Sequence, residues 1–265
     1  MKINRNLITQ KINPVLTKGN GDITLVFLHY FGGDGGSWLW TMDHLHKDFK
    51  CISLTLPGFG NTEPLKEKSV ENFARWIADQ LQKLHIKNYV LCGHSMSCKL
   101  LLLAATIVSQ KPEHLILVAP SPPTVERMET SEKERMLHHP AIDEAKTTVT
   151  KVTKTDLKFS LWEYAVISQL RIESKTWAWW LQEGMEHNVA EIIKDLKIPT
   201  TVLAGENDPV IDLVTIQNEV LPYLYKPELV IIPEVGHLLP MESPESIAIQ
   251  IKRISSKTNH IFRSH

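Results

Sequence analysis

Short apolar runs rich in branched residues alternate along this chain with stretches whose apolar positions recur at three- and four-residue spacing. That pattern predicts an α/β architecture, a mostly parallel twisted sheet flanked by helices. The runs at 23–28, 51–56, 89–91, 115–119, 200–204 and 229–232 predict strands. After the second of them, Val70, Phe73, Trp76, Ile77, Leu81 and Leu84 share one helical face, with Ser69 as N-cap and Glu71 in the first turn. Residues 7–16 predict an antiparallel hairpin at the sheet edge, although Pro14 fits poorly in a ladder.

The alternation breaks between Pro120 and Ile198, a span longer than one crossover helix requires. We therefore expect a core built from 1–120 and 199–265 and a helical cap at 121–198, inserted between the sixth and seventh strands when the hairpin counts as two. The insertion is charged and helix-favouring at 125–138 and holds four of the seven tryptophans: Trp162, Trp177, Trp179 and Trp180. Long connections at the C-terminal ends of parallel strands commonly carry lids and binding surfaces. Aromatic helices there would roof an apolar pocket, or simply pack the insertion onto the core.

Composition narrows the classes. A chain of 265 residues, 43% hydrophobic and 22% charged, has material for one sizeable domain with an insertion. Its formal net charge of −1 and lack of long single-sign runs argue against nucleic acid or anionic membrane as a partner. Cys51, Cys92 and Cys98 form neither a CxxC motif nor an even framework and read as free thiols in a reducing compartment. The N-terminus lacks the apolar core of a signal peptide, and no run approaches the roughly 20 residues of a membrane helix. The expectation is cytoplasmic.

The segment Tyr89-Val90-Leu91-Cys92-Gly93-His94-Ser95-Met96-Ser97 runs directly into an apolar helix-like stretch at 99–105. A strand, a sharp turn and a helix in that order expose the Ser95 hydroxyl and aim the amide of Met96 at a developing anion. Cys98 is a competing nucleophile, read here as a small buried residue. A serine hydroxyl needs a base within hydrogen-bond reach and a group to orient that base. Of twelve histidines, His237 follows the last apolar run and so lies at the sheet edge that Ser95 occupies. Behind it, Ser243-Pro244-Glu245 caps a final helix carrying Ile247, Ile251 and Ile254. Asp208, in Gly205-Glu206-Asn207-Asp208-Pro209, follows another strand to the same edge, with Glu206 and Asp212 as alternatives. The glycine cluster in Leu28-His29-Tyr30-Phe31-Gly32-Gly33-Asp34-Gly35-Gly36 lets backbone approach a ligand closely, and no phosphate-loop spacing accompanies it.

In the chain order Ser95, Asp208, His237, these residues resemble the α/β-hydrolase superfamily, in its branch of small cap-bearing esterases, haloperoxidase-like enzymes and carbon–carbon hydrolases. His29 with its glycine-rich loop, Leu56-Pro57-Gly58-Phe59-Gly60, the Gly93-His94-Ser95-Met96 turn, and Gly236-His237 with Glu242 and Pro244 carry the likeness over nearly the whole chain. The resemblance implies the α/β-hydrolase fold, oxyanion amides at Phe31 and Met96, and acyl transfer without a cofactor. Departures are Ser97 and Cys98 where glycines are usual, Tyr30 in place of the glycine after His29, and Thr55 in place of an aspartate. Serine at 95 argues against the dehalogenase and epoxide-hydrolase relatives, which use a carboxylate.

The expected activity is hydrolysis of an ester-like bond in a small apolar or aromatic substrate, with Tyr30, Trp162, Trp177 and Trp180 lining the pocket. A carbon–carbon hydrolase, a cofactor-free lyase or oxygenase, and a non-catalytic small-molecule sensor are the alternatives. No metal is expected, since the pairs His44/His46 and His138/His139 lack further ligands at suitable spacing. The partner expected is a small molecule, and the chain a monomer or homodimer.

Overall fold

Seven strands, β1 (Val15–Lys18), β2 (Thr24–Leu28), β3 (Lys50–Leu54), β4 (Tyr89–His94), β5 (His114–Val118), β6 (Thr200–Gly205) and β7 (Pro227–Ile232), form one sheet ordered β1-β3-β2-β4-β5-β6-β7. The computed structural model describes residues 3–262, with side chains as far as Ile254. Strands β2 to β7 are parallel, and β1 runs antiparallel to β3 with Val15 opposite Leu54. Helix α1 (Leu39–Leu45) links β2 to β3, α2 (Val70–Lys83) links β3 to β4, and α3 (Met96–Ile107) follows β4. Between β5 and β6 lie α4 (Thr130–Met136), α5 (Ile142–Val152), α6 (Phe159–Leu170), α7 (Ser174–Trp179) and α8 (Ala190–Ile193). A short α9 (Leu213–Thr215) precedes β7, and α10 (Leu239–Glu242) and α11 (Pro244–Phe262) follow it.

The two-residue period of the strands divides the core. Leu25, Phe27, Val90, Cys92, Ile116 and Val118 pack against Met42 and Leu45 of α1 and Ile247, Ile251 and Ile254 of α11. Val26, Leu28, Leu91, Leu115 and Leu117 face the other way, onto α2 and α3. Both faces are covered, which is why these strands read as continuous apolar runs rather than as alternating ones. Ser69 caps α2 as expected, its hydroxyl accepting from the Asn72 amide at 3.1 Å.

The chain leaves β2 outward to β3 and returns across it to β4, so the loops after β2 and β4 diverge. In an open parallel sheet the crevice left by such a reversal, beyond the carboxyl ends of the strands, is where ligands bind. The glycine-rich loop and Ser95 are the two segments at that point.

The edge hairpin is not formed. Residues Arg5–Leu7 make one helical turn, and only Val15–Lys18 pairs with the sheet. The intervening arm satisfies its backbone differently: the Asn61 side-chain amide donates to the carbonyls of Ile8 and Gln10, at 2.8 and 3.1 Å. With one strand where two were expected, the insertion falls between the fifth and sixth strands. The three cysteines are buried and unbridged, and no helix among the described residues is long and apolar enough to cross a membrane.

Candidate active site

Strand β4 ends at His94 and α3 begins at Met96, so Ser95 alone reverses the chain, at φ 54° and ψ −119°. A side chain in that region costs about 1–3 kcal/mol and persists only where its surroundings enforce it. Here the Ser95 amide donates to the Val118 carbonyl at 2.9 Å, and its own carbonyl accepts from Cys98 at 2.9 Å and Ser121 at 3.2 Å. Gly93 lets the helix close on the strand, since a Cβ there would lie 2.1 Å from Leu101 Cδ2. Ser97, at the position where glycine is usual, is fully buried and donates its hydroxyl to the His29 carbonyl. The larger residue therefore ties the turn to the glycine-rich loop.

His237 lies with its Nε2 2.9 Å from Ser95 Oγ and its Nδ1 2.8 Å from Asp208 Oδ2. With Nδ1–H donating to the carboxylate, Nε2 is left to accept the serine proton. The other Asp208 oxygen accepts from the amides of Val210 (2.8 Å) and Ile211 (3.0 Å), which sets the carboxylate plane. Burial alone lowers the His237 pKa, but the Asp208 carboxylate, helped by Glu126 and Glu242, outweighs it and holds the pKa above the ordinary histidine value. Glu206 is exposed and accepts from the Glu234 amide, and Asp212 caps α9 through the Thr215 amide; neither touches His237.

Two side chains that sequence analysis did not single out for this purpose hold the imidazole in place. His94 is buried, and its Nε2–H donates to the His237 carbonyl at 2.7 Å. Burial and the neighbouring His237 push its pKa well below the ordinary value, so it acts as a neutral donor. One oxygen of Glu242 accepts from the amides of Lys154 (2.8 Å), Thr155 (3.0 Å) and Gly236 (3.0 Å) and from the Thr155 hydroxyl (3.3 Å). The other accepts from the Leu238 amide at 2.9 Å. The His237 amide donates to Val152 at the end of α5, so the histidine loop is anchored to the insertion as well as to the core. The spacing of Glu242 after His237 was visible in the sequence; its five donors were not.

Ser95 and His237 open into a cavity of about 950 Å³ lined by Tyr30, Phe31, Trp177, Trp180 and Met185, with charged residues of α4 and α5 among its lining. Trp177 is sandwiched between Phe31, 4.1 Å away between ring centroids, and His139 at 4.5 Å. Trp179 stacks on Phe73 of α2 at 5.0 Å, packing the insertion onto the core. Trp162, expected in the pocket, is not there: it sits half-buried on α6 beside Phe159, Leu157 and Lys146 in a separate surface depression. The α6 face that turns inward instead carries Leu161, Ala165 and Val166.

His29 is fully buried, its Nδ1 2.8 Å from the Tyr30 carbonyl and its Nε2 accepting from the Leu56 amide. Burial lowers its pKa to about 4. Met96 is the first residue of α3, where a helix amide has no intrahelical acceptor. Cys98 points its sulfur at the Val118 carbonyl 3.7 Å away, and burial raises its pKa well above that of a free thiol, which leaves it an unreactive packing residue. His139 donates its Nε2–H to the Ile172 carbonyl and His46 its Nδ1–H to the Asp43 carbonyl, and no cluster of three or more His, Cys, Asp or Glu suited to a metal occurs among the described residues.

A model of the alpha/beta hydrolase family matches residues 25–250. A pimeloyl-acyl-carrier-protein methyl ester esterase of Nitrosomonas europaea is 26% identical over 86% of this chain and 94% of its own length. The dihydrolipoyllysine-residue acetyltransferase component of an acetoin cleaving system from Cupriavidus necator is 32% identical over 38% of this chain, and the chain spans only 27% of that protein. Among solved structures, an esterase from Exiguobacterium antarcticum superposes with a TM-score of 0.81 at 14% identity, covering 92% of this chain and 94% of the other.

Proposed function

The chain belongs to the alpha/beta hydrolase family, and on that premise we propose that it is a serine hydrolase cleaving an ester-like bond of a small, largely apolar or aromatic substrate. The observation that carries this reading is the unbroken hydrogen-bond chain from Ser95 Oγ through His237 to Asp208, with its serine end inside the cavity. His237 Nε2 takes the hydroxyl proton as Oγ attacks the carbonyl, and the imidazolium formed is stabilised by Asp208. The amides of Phe31 and Met96 receive the oxyanion, each such donor being worth roughly 3 kcal/mol of barrier. His237 then protonates the leaving oxygen, and a water activated by the same nitrogen releases the acid from the acyl-enzyme. The likeness to an esterase over most of both chains supports ester rather than carbon–carbon cleavage.

Fluorophosphonate labelling followed by mass spectrometry, with hydrolysis of short and long p-nitrophenyl esters, tests the proposal. A single adduct at Ser95, turnover lost in Ser95→Ala, and a rate lowered by the order of 10⁴ in Asp208→Asn with the fold intact are expected. Turnover retained by Ser95→Ala refutes it, and labelling with no turnover of any ester favours a sensor.

A further inference from the structure

One polar side chain in the cavity wall has no partner in the protein and remains open to the cavity. Gln169 lies one helical turn after Ala165 on the inward face of α6, lines the cavity, and is 3% exposed. Its carboxamide makes no hydrogen bond among the described residues, and neither its oxygen nor its nitrogen is among the unpartnered atoms sealed off from open space. Both therefore face the cavity. The neighbouring Ser168 hydroxyl donates to the Gly32 carbonyl at 3.0 Å, and a Cβ on Gly32 would lie 3.5 Å from Gln169 Oε1. Gly32 follows Phe31, so the carboxamide lies beside the loop to which the oxyanion is assigned. The cations lining the cavity are already committed, Arg127 to Glu219, Lys133 to Glu186 and Lys151 to Glu132.

A buried amide left unpaired is costly, and a ligand that brings the complementary group recovers the loss. Being neutral, the carboxamide does not offset the charge of a carboxylate or an ammonium taken out of water. An uncharged oxygen meets it without that cost, and a hydroxyl can either donate to Oε1 or accept from Nε2. We propose that Gln169 is a specificity-determining residue, and that its carboxamide hydrogen-bonds a hydroxyl or keto oxygen which the substrate carries within a few bonds of the scissile carbonyl. This deepens the hydrolase reading and rests on its identification of the cavity as the substrate site.

Binding to Ser95→Ala, measured by titration calorimetry with methyl hexanoate and its 2-, 3- and 6-hydroxy derivatives, tests it without requiring turnover. The 2- or the 3-hydroxy ester should bind about fivefold tighter than methyl hexanoate, the middle of the range for a neutral hydrogen bond, and the 6-hydroxy ester no tighter. That advantage should vanish or reverse in Ser95→Ala/Gln169→Met, whose side chain is of similar length without a strong hydrogen-bonding atom. Should the methionine variant fail to fold by circular dichroism, Gln169→Asn, which withdraws the amide by one methylene, should lower the advantage about twofold or more. No advantage for either near hydroxyl in Ser95→Ala, an advantage confined to the 6-hydroxy ester, or one unchanged by the substitution overturns the proposal. Wild-type ester turnover, followed in parallel, separates the two readings: turnover without a Gln169-dependent preference sinks only this proposal, and the preference without turnover sinks only the hydrolase.

Discussion

Glu242→Ala removes one carboxylate and leaves four amides, those of Lys154, Thr155, Gly236 and Leu238, and the Thr155 hydroxyl without their acceptor. A hydrogen bond to a charged group is worth about 1.5–3 kcal/mol net. Five donors share a single charge in a half-buried position, where water replaces part of what is lost, so the sum is much less than additive. We expect about 3 kcal/mol, near the lower end for breaking a buried charged contact. For a chain of this size that is a fall in Tm of roughly 6–12 °C. Gly236 and Leu238 flank the imidazole, so the loosened loop should also cost activity: a displacement near 1 Å lowers rates by about 100-fold. Urea denaturation gives the stability and p-nitrophenyl ester kinetics the rate. Because Glu242 helps raise the His237 pKa, the acid limb of the pH–rate profile should also move to lower pH in the variant. Stability within about 0.5 kcal/mol of wild type with an unchanged rate would refute the clamp.

Two further predictions concern titration. The proposed base His237 must be neutral to take a proton and its pKa is raised above the ordinary histidine value, so kcat/KM of the wild-type protein should rise with pH through an apparent pKa above about 6.5; a midpoint below about 6 counts against the Asp208 contact. His29 is neutral in the folded chain down to about pH 4, whereas the unfolded chain protonates it near 6.5, so between those values the unfolded state holds more protons and stability falls as pH falls. At pH 5 the loss from this residue is about 2 kcal/mol. His94 adds to it, and His237, with its raised pKa, acts in the opposite direction. Urea midpoints at pH 7.5 and 5.0 should therefore show a smaller acid loss in His29→Asn than in wild type, and equal losses contradict the assignment.

How much of this was legible along the chain depended on how far the information had to travel. The parallel strands stood out because burial on both faces turns each into an apolar run, and the Gly93–Ser97 turn because its strand, reversal and helix are contiguous. Ser95, Asp208 and His237 could be chosen because each follows a strand whose carboxyl end faces one edge. The expected edge hairpin does not form, and Asn61, some fifty residues away, supplies donors to the carbonyls of Ile8 and Gln10 where a second strand would have done so. Trp162 lies outside the cavity, a fact composition could not supply, since it marks an aromatic helix without saying which side turns inward.

Periodicity, turn chemistry and chain order are local or ordinal properties, and they sufficed for the layered fold, the sharp turn at Ser95 and the segments that meet at the sheet's carboxyl edge. What holds and surrounds that meeting point depends on packing: His94 on the carbonyl of His237, 143 residues distant, and Glu242 gathering amides from both core and insertion. Hydrogen bonds act over about 3 Å whatever the separation along the chain, so a contact between distant segments exists only once packing has set the distance.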